Sequence, residues 1–181
     1  MRPIRFIAVL TLALAAAPVA FATPDVWRHE WPNTDFSRTS VDFSDIRSGG
    51  PPKDGIPAVS NPSFRPVADE TRLTEREPVM TVEIAGETPR AYPIRYLMWH
   101  EIVNDTVGDV PVAVTFCPLC NSGIVFDRRV EGELRSFGVT GKLRHSDMVM
   151  YDRETQSWWQ QAIGEGIVGH HTGDELEQVP A

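Results

Sequence analysis

The chain has 181 residues, 41% of them hydrophobic, and a formal charge of −8 at pH 7. One domain with a buried core is the natural expectation for that length. The acidic balance and the lack of a polybasic stretch argue against nucleic acid, whose phosphates need a basic face, and against an anionic lipid surface.

Residues 1–22, MRPIRFIAVLTLALAAAPVAFA, read as a secretory signal peptide. Arg2 and Arg5 stand in front, an apolar run follows from Ile7, and Ala20-Phe21-Ala22 gives a small-x-small cleavage pattern. Pro3 and Pro18 confine an apolar core that is short for an anchor helix. Cleavage near Ala22 removes two arginines and moves the charge to about −10. No later stretch is long and apolar enough to span a bilayer, so the mature protein is expected to be soluble and exported, periplasmic or secreted.

Residues 23–66 lack periodicity but hold Trp27, Trp31, Phe36 and Phe43, too many aromatics for a disordered tail. They are expected to form an ordered arm over the domain. Within them, Ser48 to Pro57 is a tight Gly/Pro loop. No Gly-Lys-Ser/Thr follows it, which sets aside a phosphate-binding loop.

The remainder, 67–181, reads as a β-rich domain forming one unit with the arm. Pro66 to Glu77 suits a short helix. Val79 to Ile84 and Arg90 to Pro93 make a hairpin. Ile94 to Val103 is the best helix candidate, ended by Asn104-Asp105 and Gly108. Val110 to Phe116 is a buried strand and Gly123 to Arg129 another, with Leu134 to Val139 as the latter's hairpin partner. Asp147 to Tyr151, Ser157 to Gln161 and Ile167-Val168 complete the strands. The expected fold is α+β, a mainly antiparallel sheet, partly rolled, around one central helix.

Both cysteines of the chain, Cys117 and Cys120, lie in VPVAVTFCPLCNSG. A thioredoxin-type pair follows a strand and opens a helix. Here Asn121-Ser122-Gly123 and a β-like run follow, so the pair sits in a turn between strands. The Cys-Pro-x-Cys context with a nearby glycine is that of a metal knuckle. A knuckle supplies two ligands and a closed zinc site needs four, so the others must come from elsewhere.

HSDMVM, from His145 to Met150, offers His145, Met148 and Met150, with Asp147 able to accept a buried hydrogen bond. Thioether, thiolate and imidazole donors together favour Cu(I). The opposing reading puts Met148 and Met150 in the core of an alternating strand. Trp99-His100-Glu101 offers His100 as ligand or base, but adjacent helix residues do not face each other, so Glu101 would not orient it. Asp127-Arg128 and Asp152-Arg153 are surface pairs or turn caps by default. Trp158-Trp159 suits one ring packed in and one facing out. His170-His171 reads as a frayed tail.

Four blocks in order, SGGPPKDGIPAVSNPSF, RAYPIRYLMWHEIVND, VPVAVTFCPLCNSGIVFDRR and SDMVMYDRETQSWWQ, resemble those of the bacterial family DUF3179, a domain of unknown function. The resemblance covers Asp35 to Glu177. It implies the extent of the domain and carries no activity with it. Relatives look longer, continuing through another Trp- and His-Pro-containing stretch, so this chain reads as a C-terminally short member.

Three functions follow. The first is metal binding, copper or zinc, centred on Cys117 and Cys120. The second is thiol–disulfide redox chemistry by the same pair, with a periplasmic redox or metal-handling partner in either case. The third is a non-enzymatic binding or scaffold module with a structural disulfide, whose two-residue loop stabilises little. A hydrolase using Asp54, His100, Glu101 and Asp127 has no spacing to single it out. The test is whether the WHE or HSDMVM segment reaches the two sulfurs.

Overall fold

The computed structural model describes residues 24–181; the signal peptide read over residues 1–22 lies outside the described residues. The strands are β1 (Ile46–Ser48), β2 (Val59–Ser60), β3 (Val79–Val82), β4 (Arg90–Pro93), then, after helix α1 (Ile94–His100), β5 (Ile102–Val107), β6 (Val110–Cys117) and β7 (Ser122–Asp127). They continue with β8 (Arg129–Val130), β9 (Glu133–Leu134), β10 (Phe137–Arg144), β11 (Asp147–Asp152), β12 (Trp158–Gln160) and β13 (Glu165–Val168). Two open sheets dominate, one ordered β1-β10-β11-β12-β13 and the other β2-β5-β6-β7. Pairing is antiparallel except between β2 and β5. The architecture is the expected mainly antiparallel one with an N-terminal arm and, among the described residues, one α-helix; that helix is not central but packs on the outer face of the four-stranded sheet. No sheet closes on itself among the described residues, in place of the expected partial roll.

Alternation along the strands assigns side chains to layers, because successive residues point to opposite faces. On β6, Ala113 and Cys117 face inward and meet Met148 and Met150 of β11, Phe137 and Val139 of β10, and Trp159 of β12. This is the shared core between the sheets. The other β6 register, Val112, Val114 and Phe116, packs against Leu97 of α1 and Val82 and Tyr92 of the β3–β4 hairpin. The other β11 register, Val149 and Tyr151, packs with Trp158 against Trp31, Phe36 and Ile46 of the arm. The molecule is therefore layered as arm, five-stranded sheet, four-stranded sheet, and helix with hairpin. Trp158 and Trp159 point to opposite faces of one strand, and both are fully buried because each face is covered.

The arm enters the sheets rather than only lying over them, since it supplies β1 and β2. The Gly/Pro loop between these strands is seated on a bulge in β10. The β10–β11 register shifts between Val139 and Lys142, and Gly49 N–H donates to Gly141 O at 2.8 Å while Asp54 N–H donates to Val139 O at 2.9 Å. Gly141 has φ +70, and a Cβ there would stand 2.0 Å from Pro51 O, so only glycine lets the loop close.

Three elements differ from their sequence reading. Pro66 to Glu77 contains only a single 3-10 turn, Val67–Asp69. Helix α1 stops at His100 instead of continuing to Val103. Glu101 takes φ +57 with its N–H on Leu97 O, and Ile102–Val107 becomes a strand paired along its whole length with β6. A β-branched run loses χ1 freedom in a helix and gains cross-strand packing in a sheet, and the tertiary context decides it. Asn104 and Asp105 are consequently buried strand residues, not a helix stop. Finally, residues 134–139 do not pair with β7. Leu134 closes the short β8–β9 hairpin, and Phe137 begins β10 in the other sheet.

Polar side chains join the layers. Asn104 of β5 donates from Nδ2 to Phe137 O and accepts Phe137 N–H at Oδ1, both at 2.8 Å, tying the two sheets together. Asp105 accepts from Tyr92 Oη at 2.7 Å and Arg90 Nη1 at 2.5 Å, fixing the hairpin to β5.

Candidate functional site

Strand β6 ends at Cys117, pairs there with Ser122, and turns through Pro118, Leu119, Cys120 and Asn121. Asn121 takes φ +51, a conformation that asparagine tolerates better than most residues. The turn sits between two strands, as its flanking residues suggest. Cys117 is buried at the end of the inner face, and Cys120 is exposed on the turn. Both are free thiols. Gly123 has a packing reason of its own: a Cβ there would lie 2.6 Å from Met80 Sδ of the hairpin.

The facing segment is the start of β11. His145 and Ser146 form a tight turn with φ +52 and +67, and the next residue, Asp147, points its carboxylate at the cysteines. Cys120 Sγ lies 3.3 Å from Asp147 Oδ1 and 3.2 Å from Ser122 Oγ. Cys117 Sγ lies 4.0 Å from Ser146 O. The two sulfurs and one carboxylate oxygen of Asp147 all fall within 4.8 Å of one another.

A buried polar frame surrounds this triad. Asp147 Oδ2 accepts from Gln160 Nε2 and, at 2.9 Å, from Ala162 N–H. Ser122 Oγ donates to Gln161 Oε1 at 2.9 Å, and Gln161 Nε2 donates to Thr115 Oγ1 at 3.0 Å. Gln160 and Gln161 are themselves buried. Such outer contacts orient a ligating carboxylate and thiolate.

Electrostatics set the resting state of the pair. Burial, and then the neighbouring Cys120 thiol, push the Cys117 thiol up to about 12. The Cys120 and Met148 backbone N–H groups face its sulfur and act in the opposite direction. Cys117 is therefore neutral at physiological pH unless a cation stands beside it.

The other candidate residues lie in separate settings. Met148 and Met150 are 2% and 0% exposed and fill the shared core, Met148 in the same cluster as Cys117. His145 is exposed and turns toward Asp45, with Nε2 at 4.0 Å from Oδ2. His100 Nδ1 is 2.8 Å from Pro57 O, which tethers the arm. Glu101 is half-buried, and desolvation raises its carboxyl to about 7. Asp54 accepts from Tyr151 Oη at 2.5 Å and from Arg153 Nη1 and Nη2 at 2.9 Å. Asp127 pairs with Arg129, while Arg128 is buried and donates to Asp105 O and Arg135 O, each at 3.0 Å. Asp54, His100 and Asp127 thus bond to different partners.

Sequence reasoning named Asp147 but passed over Thr115, Ser122, Gln160 and Gln161. One signal was available. Thr115 alternates with Cys117 on the same face of β6, and a Gln pair closing a Trp-Trp strand must be hydrogen-bonded if buried.

A family model described as a protein of unknown function, DUF3179, matches residues 53–181. No curated protein and no solved structure matches the chain.

Proposed function

We propose that this chain, which belongs to the DUF3179 family, binds a divalent metal ion of the zinc class through Cys117, Cys120 and Asp147. The observation that carries the reading is the convergence of two sulfurs and one carboxylate oxygen within 4.8 Å. Zinc takes thiolate and carboxylate donors together at about 2.0–2.3 Å, so the three side chains close onto the ion by small rotations. Copper(I) fits less well. Its thioether donors would be Met148 and Met150, which are packed in the core, and the third donor at hand is a hard carboxylate. Three protein donors leave a fourth position for water or a substrate atom.

The same reading gives the raised Cys117 pKa a purpose. Without a cation the buried sulfur keeps its proton; a metal displaces that proton and supplies the compensating charge. Export, as read from residues 1–22, would place the pair in an oxidising compartment, where a bound ion holds two free thiols apart from a disulfide. A metal-handling partner in that compartment fits the exposure of Cys120.

A second reading rests on the asymmetry of the pair. Cys120 is exposed and Cys117 is buried behind it, the arrangement of an attacking and a resolving thiol. Zinc titration of the reduced protein separates the two. Metal binding predicts one equivalent that disappears in Cys117→Ser and in Cys120→Ser. Cysteine variants that bind as much zinc as the unmodified protein contradict it, and the lack of any cysteine-dependent equivalent together with a reversible disulfide transition favours the redox reading.

A further inference from the structure

A second cluster, sharing no residue with the first, brings Glu131, His170 and His171 together, one ligand atom of each within 4.8 Å of the others. Glu131 and Gly132 form the two-residue β8–β9 turn, with φ +53 and +82, a type I′ hairpin that holds the glutamate out at its tip. The histidines follow β13. Gly169, at φ +104, turns the chain, and the loop is stitched back onto that strand. Gly166 N–H donates to Asp174 O at 2.9 Å, and Gly173 N–H donates to Gly166 O at 2.8 Å. A Cβ at Gly166 would stand 2.0 Å from His171 O, so the loop is packed tightly there. The segment that reads as a frayed tail is a loop held against β13, with an isolated bridge between Glu165 and Glu175.

The second, independent observation is His171 itself. Its side chain is 0% exposed and lies 5.5 Å from the Trp159 ring between centroids. Nδ1 pairs with Asp174 Oδ2 at 2.8 Å. Nε2 is buried and has no hydrogen-bond partner among the described residues. A buried polar atom without a partner is costly and calls for an explanation. A carboxylate on one ring nitrogen and nothing on the other is the arrangement of a metal-ligating histidine, whose second nitrogen is oriented by an acidic side chain.

We infer that His171 Nε2, His170 and Glu131 form a binding site for a divalent transition-metal cation such as Zn²⁺, with Asp174 orienting His171. Two imidazoles and a carboxylate are a common zinc donor set, distinct in softness from the cysteine site. His170 now meets Arg38 Nη1 at 3.5 Å, the limit of a hydrogen bond, and binding exchanges that weak contact for the metal.

The test is zinc titration of the full mature chain by equilibrium dialysis with metal analysis. His170 and Glu131 are exposed, so His170→Ala and Glu131→Gln leave the fold intact. Each is expected to bind one equivalent fewer than the unmodified protein, whatever the cysteine site does, while Cys117→Ser keeps this equivalent. Asp174→Asn is expected to weaken it by about 10–100-fold. Zinc is also expected to shift the His171 ring ¹⁵Nε2 resonance in the unmodified protein. Unchanged stoichiometry and affinity in both His170→Ala and Glu131→Gln, or an unshifted His171 ring at saturating zinc, overturns the inference.

Discussion

Asp147 Oδ1 stands 3.3 Å from Cys120 Sγ, and the two residues come from different sheets. Asp147 opens β11 of the five-stranded sheet, and Cys120 lies in the β6–β7 turn of the four-stranded one. The triad therefore exists only when the sheets are packed face to face. An ion held there would link the two halves of the sandwich, so binding free energy becomes folding free energy.

Asp147→Asn keeps an acceptor for the Ala162 N–H and removes the negative charge facing the sulfurs. Zinc affinity is expected to fall by at least about tenfold, with the far-UV circular dichroism of the metal-free protein unchanged. Competition titration against a chelating dye checks this. An unaltered affinity would take Asp147 out of the ligand set.

The thiols should separate by access. In the native reduced protein Cys120 reacts with an aromatic disulfide reagent, while Cys117 reacts only on unfolding, and zinc protects Cys120. The pH dependence has a definite sign. The Cys117 thiol is raised from 9.0 to about 12 in the folded state, so the unfolded chain loses its proton first. The stability contribution is whole below pH 9 and is lost as pH rises toward 12. Urea denaturation of unmodified protein and Cys117→Ser across that range measures the difference. Equal pH slopes would contradict the buried-thiol assignment.

Glu101 shows the same sign in a lower pH window. Burial raises its carboxyl from 4.5 to about 7, so the folded state holds a proton that the unfolded state has released between those values. Stability is expected to decline as pH rises from 4.5 to 7. Glu101→Gln removes that slope, and residual solvent contact limits the gain near pH 7 to about 1–2 kcal/mol. Glutamine keeps the left-handed backbone requirement at φ +57 unchanged, which isolates the charge. Chemical denaturation at the two ends of the window reads it out. A pH slope that persists in the variant would assign it to another group.

Asn104→Leu tests the tie between the sheets. It leaves both Phe137 N–H and Phe137 O without the partners they have at 2.8 Å. Two buried backbone groups left unpaired cost about 2–4 kcal/mol, read as a lower urea midpoint with little change in slope. Loss of less than about 0.5 kcal/mol would mean that water replaces the amide.

Much of the fold can be read from the residues. The short apolar runs VPVAVTF and DMVMY give strands buried on both faces, and the arm's aromatics announce a surface to cover. The extent of α1 is not legible, because Ile102 and Val103 continue its apolar period. Only the ladder with β6 shows that they are strand. Asp147 is legible as a polar residue at a strand start, but its meeting with Cys120 depends on long-range packing between sheets. No local pattern encodes that. His171 is the hardest to read: a His-His pair near a chain end carries no burial signal until β13 and its return loop enclose it.

The most direct test is X-ray absorption at the zinc edge on zinc-loaded His170→Ala protein, which removes the histidine-cluster site. Two sulfur neighbours at about 2.3 Å with oxygen at about 2.0–2.2 Å are expected. A shell of nitrogen and oxygen alone, or no retained zinc, would contradict a metal centre at Cys117, Cys120 and Asp147.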